Sequence, residues 1–311
     1  MLKKIVFLDA HTLGQIPNWD SLEELGDFQG YDFTAPDQVV ERLAGTQVAI
    51  TNKVVLGAKI IDQLPDLKLI CVAATGTDNV DVVHAEAKGI PVRNVSNYST
   101  NAVAQLTMTA LFTLGYDLIH LNQAVYDGTY SKAPSFSYWR QDFYELCGAR
   151  FGIIGLGSIG QRVAELAEAF GAKVCYYSTS GEERSDEYER LELDDLLEHC
   201  EVVSIHAPLN EQTRDLIAWP QLQLMRSTAY LLNLGRGGIV NEADLARAID
   251  AGEIAGAAID VYEREPIPED HPYLQVKNRN RLLLTPHIGW ASVEARMRLV
   301  EGIIENIEAG W

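Results

Sequence analysis

The sequence predicts an α/β protein built of two doubly wound parallel-sheet domains, and three observations carry that reading. The chain has 311 residues, which at roughly 150 residues per domain makes two. Short β-branched runs alternate with stretches of helical apolar period along the whole length, the pattern of βαβ units with helices on both faces of a parallel sheet. Hydrophobic residues make up 47% and charged residues 22%, enough to fill two cores and far from the composition of a disordered chain.

In the first half, Lys4–Asp9, Gln47–Thr51, Leu67–Ala73 and Val92–Asn94 read as strands, with Ala35–Leu43, Ala58–Leu64 and Asp81–Lys88 as helices between them. Thr100–Leu114 is a long helix joining the halves, and Asp127–Gln141, rich in Gly, Ser, Pro and aromatics, is an irregular excursion. The second half repeats the scheme. Its strands are Phe151–Ile154, Lys173–Tyr177, Val202–Ile205, Tyr230–Asn233, Ala257–Asp260 and Arg281–Leu284, and its helices Ser158–Phe170, Leu193–His199, Glu242–Ala251 and Ser292–Ile307. No short-period repeat or low-complexity tract interrupts them. The last helix is expected to return to the first domain, giving domains 1–98 plus 292–311 and 99–291.

The formal charge of −19, from 25 Lys+Arg against 44 Asp+Glu, argues against nucleic acid or an anionic membrane as partner. It does not prevent a local basic pocket from capturing a small anion. Cys71, Cys147, Cys175 and Cys200 show no C-x-x-C spacing; Cys71 and Cys175 lie in apolar runs and read as inert interior thiols. No metal site is read. Met1-Leu2-Lys3-Lys4 is followed by only four apolar residues, Ile5–Leu8, short of a signal peptide, and no segment approaches a membrane span. A cytoplasmic location is expected.

The sharpest local signal is Phe151-Gly152-Ile153-Ile154-Gly155-Leu156-Gly157-Ser158-Ile159-Gly160. It places G-x-G-x-x-G between a strand and a helix: Gly155 for the tight turn, Gly157 for close approach of backbone to a pyrophosphate, Gly160 for helix–strand packing. Amides of the first helical turn would face the phosphates. Three glycines alone can be a structural turn, but the strand–turn–helix context favours a dinucleotide-binding Rossmann domain. An NAD site usually carries Asp or Glu after the second strand; here Ser178-Thr179-Ser180 stands there, with Arg184 nearby. These groups suit a ribose 2′-phosphate, Glu182 and Glu183 oppose one, and a polar turn is the bland alternative. The cofactor is NAD or NADP, with a lean toward NADP being accepted.

Three further segments put reactive groups at strand ends, where open α/β sheets hold ligands: Asn233–Gly238 with Arg236, Asp260–Pro266 with its carboxylates, and Thr285–Trp290 with His287. Each alone has a structural explanation, and their joint placement behind the fingerprint favours a site. With the His206-Ala207-Pro208-Leu209 segment, these motifs make the chain resemble the D-isomer-specific 2-hydroxyacid dehydrogenase family over essentially its full length. Thr51–Lys53, Ala74–Asp81, Tyr98–Gln105 and His287–Ser292 are most similar to its glycerate dehydrogenase and hydroxypyruvate (glyoxylate) reductase branch.

The resemblance implies a flavodoxin-like substrate domain and a Rossmann cofactor domain with a cleft between them. It implies hydride transfer between NAD(P)H and a small 2-oxo acid, hydroxypyruvate or glyoxylate first. His287 would be the acid–base, a role worth about 10²–10⁴-fold. Glu265 would fix its tautomer, and Arg236 would clamp the substrate carboxylate. The amides of Thr75 and Gly76 would take other carboxylate oxygens. Asp260 would meet the nicotinamide carboxamide. Ser158, Ile159, Ala207 and Leu234 would line the cofactor, with Thr75, Val103, Gly289 and His287 completing its contacts.

Trp290 and Trp139 would wall the substrate pocket, core packing being the other reading of Trp139. In relatives the excursion holding Trp139 meets a second subunit, which implies a homodimer. Some positions depart from the family: Ser178 replaces a frequent ribose-binding Asp, Gln105 a frequent Glu, and the sequence ends at Trp311 where relatives usually continue. Glu265, where formate dehydrogenases carry Gln, favours a reaction that moves a proton. The alternatives are the same chemistry on pyruvate, a branched 2-oxo acid or phosphoglycerate, or a nicotinamide-sensing corepressor-like binding protein.

Overall fold

The computed structural model describes residues 3–311. They fall into one compact unit that runs to Ser99 and resumes at Trp290–Trp311, and another formed by Thr100–Gly289. Each is built on a single parallel sheet.

In the first unit the strands are β1 (Lys4–Phe7), β2 (Asp27–Gly30), β3 (Val48–Thr51), β4 (Leu69–Val72) and β5 (Val92–Arg93), ordered β2-β1-β3-β4-β5. This is the flavodoxin-like doubly wound order. Ile5, Val6, Phe7, Val48, Ala49, Ile50, Leu69, Ile70 and Val72 are all buried, the continuous apolar character that a parallel sheet covered on both faces requires. Cys71, in β4, is buried with them, which pushes its thiol up to about 12. The helices are short: α1 (Asp20–Glu23), α2 (Val39–Arg42), α3 (Ala58–Ile61) and α4 (Val82–Ala87). Strand β2 is absent from the sequence reading because an edge strand of four residues with an exposed–intermediate alternation carries little apolar signal. The helix expected over Ala35–Leu43 is broken into a 3₁₀ turn, Pro36–Gln38, and α2.

The C-terminal helix Val293–Glu308 belongs to this unit. Ser292 caps it, its Oγ accepting the N–H of Ala295 at 3.1 Å. Its buried face is Ala295, Leu299, Val300, Ile303 and Ile307. Gly302 lies so close to Val95 that a Cβ would stand 2.5 Å from Val95 Cγ1, and Arg298 Nε donates to the Tyr98 carbonyl at 2.9 Å.

The second unit opens with helix α5 (Thr100–Gly115) and helix α6 (Leu118–Tyr126). Its strands are β6 (Arg150–Ile154), β7 (Lys173–Tyr177), β8 (Glu189–Arg190), β9 (Val202–Ile205), β10 (Tyr230–Asn233), β11 (Gly256–Ile259) and β12 (Leu282–Leu284), ordered β12-β11-β10-β9-β6-β7-β8. Counted from β6, this is the 3-2-1-4-5-6 Rossmann arrangement with one strand added, and its switch point lies between β6 and β9. The connecting helices are α7 (Ser158–Ala169), α8 (Leu193–His199), α9 (Trp219–Leu224) and α10 (Glu242–Ala251). One apolar layer contains Val103, Met108 and Leu111 of α5 with Val163 and Ala167 of α7. The other contains Leu196 and Leu197 of α8, Leu222 of α9 and Leu245 and Ile249 of α10.

The sequence reading lacks α6, β8 and α9. Between α5 and α6 the backbone turns at Asp117, in the left-handed region at φ 54°, and Arg140 grips the Asp117 carboxylate with Nε and Nη2 at 2.5 and 2.7 Å. That bidentate pair ties the irregular excursion back to the helices. Among the described residues no single helix is long and apolar enough to cross a membrane.

Ile303 is fully buried in the C-terminal helix. Ile303→Ala is expected to destabilise the first unit by about 2–5 kcal/mol, read by urea unfolding; an unshifted midpoint would show that the helix does not complete that core.

Candidate active site

Of the expected site residues of the second unit, Gly155, Ala207, Leu234, Arg236, Asp260, Glu265 and His287 lie in loops at the carboxyl ends of strands, whereas Ser158, Ile159 and Gly160 open α7, Val103 lies in α5 and Trp139 in the excursion before β6. After β6, Gly155 adopts φ +91°, and a Cβ there would meet the backbone N and Cα of Ala207 at 2.9 Å. A Cβ on Gly160 would meet the Gly155 carbonyl oxygen at 2.3 Å, so glycine is required at both. Gly157 differs: nothing lies within 4 Å of where its Cβ would stand, and it is the N-cap of α7. The turn therefore presents an open backbone face above unpaired first-turn amides, the cradle a pyrophosphate occupies. The residues present fit a bound dinucleotide.

The loop after β9 begins at His206, whose burial pushes its imidazole down to about 3; it is neutral, with Nε2 2.8 Å from Ser204 Oγ. Ala207 follows, wedged between Gly155 and Gly235, whose own Cβ would stand 3.1 Å from the Ala207 carbonyl. Leu234 is buried with Leu156 and Val103, and Ile159 packs against the same cluster. After β10, Asn233 shapes the turn that carries Arg236: its Oδ1 accepts the Gly235 N–H at 3.1 Å and its Nδ2 donates to the Arg236 carbonyl at 3.0 Å. The Arg236 guanidinium donates to the Gly235 carbonyl at 2.9 Å and makes no ion pair among the described residues.

After β12, His287 sits in the left-handed region at φ 54°, a conformation uncommon for a non-glycine residue and concentrated at functional sites. Its Nδ1 lies 2.7 Å from Glu265 Oε2. The other Glu265 oxygen accepts the Tyr262 N–H at 2.9 Å, so the carboxylate is oriented from both ends. With Nδ1 engaged, Nε2 is the nitrogen that does not face the carboxylate. A carboxylate that orients an imidazole is the acid–base arrangement of hydrolases and dehydrogenases alike.

Residues 108–289 match the model of the D-isomer specific 2-hydroxyacid dehydrogenase NAD binding domain. The chain belongs to the D-isomer-specific 2-hydroxyacid dehydrogenase family. It is 37% identical to glycerate dehydrogenase of Methylorubrum extorquens over 310 residues, covering 99% of this chain and 96% of that one. It is 35% identical to hydroxypyruvate reductase of Blautia hydrogenotrophica over 314 residues, covering 98% and 96%. Among solved structures it resembles the D-lactate dehydrogenase of Aquifex aeolicus in complex with NAD and lactic acid, with a TM-score of 0.82, 26% identity and coverage of 98% and 95%. As a member of this family it is an oxidoreductase with a nicotinamide-dinucleotide domain.

Asp260 is 3% exposed. Its Oδ1 accepts Thr285 Oγ1 at 2.6 Å and the Ile288 N–H at 2.9 Å, and its Oδ2 accepts the Gly289 N–H at 2.8 Å. In this chain, then, Asp260 is first the anchor of the turn that carries His287, and the Oδ2 that bonds Gly289 retains an acceptor site. Gly289 also adjoins Val103, whose Cγ2 would be 3.5 Å from a Cβ at Gly289.

Of the three hydroxyl residues after β7, Ser178 is buried and donates to the Glu182 carbonyl at 2.6 Å, holding the turn. Ser180 Oγ accepts Arg184 Nη2 at 3.1 Å, and the same guanidinium pairs with Glu182 at 2.8 Å. Glu183 is turned onto the hydroxyl of buried Tyr176 at 2.5 Å. Thr179 continues the same turn.

Thr75, Gly76 and Trp290 lie in the first unit. Thr75 Oγ1 donates to the Val95 carbonyl at 3.2 Å, and Asn94 Nδ2 donates to the Thr75 carbonyl at 2.5 Å, which fixes this turn's amides. Trp290 stacks edge-on with Tyr98 at 6.5 Å between centroids. Trp139 is 57% exposed, so it is not core packing of this chain.

Tyr262 and Thr285 escaped sequence reasoning. The Tyr262 phenol, pushed up to about 12 by burial and by Asp260, Glu265 and Glu242, donates to the Thr285 carbonyl at 2.9 Å, the same carbonyl that accepts the His287 N–H. Both lie inside the segments Asp260–Pro266 and Thr285–Trp290, but nothing in their spacing marks this contact.

Asp260→Asn keeps the side chain's shape but replaces one acceptor by an NH₂ group that must face a donor. It is expected to lower stability by about 1–3 kcal/mol and to speed amide exchange at Ile288 and Gly289; unchanged exchange would remove Asp260 as the turn's anchor.

Proposed function

We propose that the protein reduces a small 2-oxo acid to the D-2-hydroxy acid, with hydroxypyruvate or glyoxylate as substrate and NADH or NADPH as donor. The observation that carries this is the 2.7 Å contact of His287 with Glu265 in the unit that holds the dinucleotide fingerprint. The relatives named glycerate dehydrogenase and hydroxypyruvate reductase support the substrate class.

A nicotinamide dinucleotide, held by the glycine turn Gly155–Gly160, would supply the hydride for the substrate carbon. The protein's residues handle the acid's charge and its proton. Arg236, which makes no ion pair among the described residues, clamps the substrate carboxylate through its planar fork. His287 Nε2 gives a proton to the carbonyl oxygen, while Glu265 holds the tautomer and stabilises the imidazolium before that transfer. An acid-inert dyad, Gln with His, would not need this arrangement, which is why Glu265 favours oxo-acid reduction over formate chemistry. Intact Arg236, Glu265 and His287 favour an enzyme over a cofactor-sensing binding protein.

The contact of Arg184 with Ser180 supports acceptance of a 2′-phosphate, and Glu182 on the same guanidinium weakens it. NADP is therefore accepted, with NAD the alternative.

Oxidation of NADH and NADPH against a panel of 2-oxo acids tests this reading: turnover is expected with hydroxypyruvate or glyoxylate, and none with any acid would favour the sensor. A strong preference for NADH would refute the NADP lean. In the same assay His287→Ala should lower kcat by about 10²-fold or more with cofactor binding retained. Arg236→Ala should act mainly on the oxo-acid KM.

The protein acts as a homodimer through the surface of α6 and the excursion that follows. There Ile119, Val125, Tyr126, Phe136, Trp139 and Tyr144 are all exposed, an apolar patch of the kind that marks an interface. Light scattering should give the mass of two chains, and Phe136→Glu should shift it toward one; a wild-type monomer would refute the dimer.

A further inference from the structure

Behind the His287–Glu265 pair lies a second imidazole–carboxylate pair. His271 is 3% exposed. Its Nδ1 accepts the Tyr273 N–H at 3.2 Å, which leaves the proton on Nε2, donated to Glu242 Oε2 at 2.8 Å. The other Glu242 oxygen accepts the backbone N–H of Glu263 at 2.8 Å. Glu242 is the first residue of α10, but the helix is capped by Asn241, whose side chain accepts the Asp244 N–H at 3.1 Å. The Glu242 carboxylate is thus left to the loop after β11, with the positive end of the helix beneath it.

That loop contains Glu265. Glu263 is flanked by Tyr262, whose N–H is bound by Glu265 Oε1, so fixing the Glu263 peptide fixes the frame from which the Glu265 carboxylate reaches His287. On the opposite side, Gly237 presses against the same peptide: a Cβ there would stand 1.9 Å from the Tyr262 carbonyl oxygen. Gly237 is the neighbour of Arg236, and Glu242 closes the same segment at the start of α10. His271 is itself held by rings, edge-on to Tyr262 at 5.8 Å and tilted against Tyr273 at 4.9 Å.

We propose that Glu242, oriented by His271, is a positioning residue for the acid–base pair: it fixes the 262–265 loop and locks it to the segment that carries Arg236. This rests on the assignment of His287 and Glu265 as the acid–base pair. Its chemistry is that of an outer-shell carboxylate, which touches neither substrate nor cofactor and acts by keeping Glu265 in reach of His287 Nδ1.

Glu242→Ala, Glu242→Gln and His271→Phe separate this role from a structural one. In Glu242→Ala, kcat is expected to fall about 10- to 100-fold, the range for outer-shell partners, while the Kd for reduced dinucleotide, read by its fluorescence, stays within about twofold. Glu242→Gln keeps one acceptor for the Glu263 N–H but turns its NH₂ toward the His271 Nε2–H, so it should recover kcat only in part, to above that of Glu242→Ala. His271→Phe keeps the ring packing without the donor and should fall between them. Proton NMR gives a readout that needs no turnover: the His287 Nδ1–H resonance, assigned by its loss in His287→Ala, should broaden in Glu242→Ala by faster exchange with water. Folded Glu242→Ala protein with kcat within about twofold of wild type and a sharp His287 resonance would overturn the proposal, as would a loss confined to the cofactor Kd. Should the alanine variant not fold, the glutamine and phenylalanine variants carry the same two readouts. If His287→Ala itself leaves turnover intact, the acid–base assignment has failed, while the resonance still decides whether Glu242 holds the pair.

Discussion

A carboxylate taken out of water is stable only if N–H and O–H donors replace its hydration, and Asp260, at the end of β11, is such a carboxylate. It recruits its donors from Thr285, Ile288 and Gly289, and the turn after β12 is wrapped around it. The left-handed backbone of His287 follows from that wrapping. Thr285 then accepts the phenol of Tyr262, so the loops after β11 and β12 become one hydrogen-bonded unit. The His287–Glu265 contact spans the two loops that this buried charge joins.

The arrangement extends along the sheet because neighbouring strands end side by side. The order β12-β11-β10-β9-β6 sets the loops bearing His287, Glu265, Arg236, Ala207 and the glycine turn in sequence across one edge. Glycine occurs where backbones meet: Gly155 and Gly235 against Ala207, Gly237 against Tyr262. Only Gly157, among the fingerprint glycines, faces open space. In a chain of formal charge −19, this edge still carries local donors, the first-turn amides of α7 and an Arg236 guanidinium that makes no ion pair among the described residues, whatever the field of the whole surface.

Much of this was legible in the chain. Central strands such as Val202–Ile205 and Tyr230–Asn233 coincide with their apolar runs because burial on both faces demands an unbroken one. Helices α8 and α10 coincide as well, their apolar stripes being complete. The edge strand β2 and the two-residue β8 were illegible: an edge needs only one neighbour, and exposed residues carry no period. Helix α6 and its turn at Asp117 depend on Arg140, distant in sequence. Gly155, Arg236, Glu265 and His287 were marked by position at strand ends, whereas Glu242, His271 and Tyr262 act through contacts between loops far apart in the chain and left no spacing to read.

By itself the sequence determined the two-sheet α/β architecture, the dinucleotide turn and which polar side chains stand at strand ends, because hydrophobic period and glycine requirement are local properties. Only the tertiary structure decided that Asp260 anchors the histidine turn, that Ser178 is committed to its own loop, and that a second His–Glu pair stands behind the first. Those are matters of which donor meets which acceptor. Hydrogen bonds reach about 3 Å, and no pattern along a chain states which distant residues folding will bring that close.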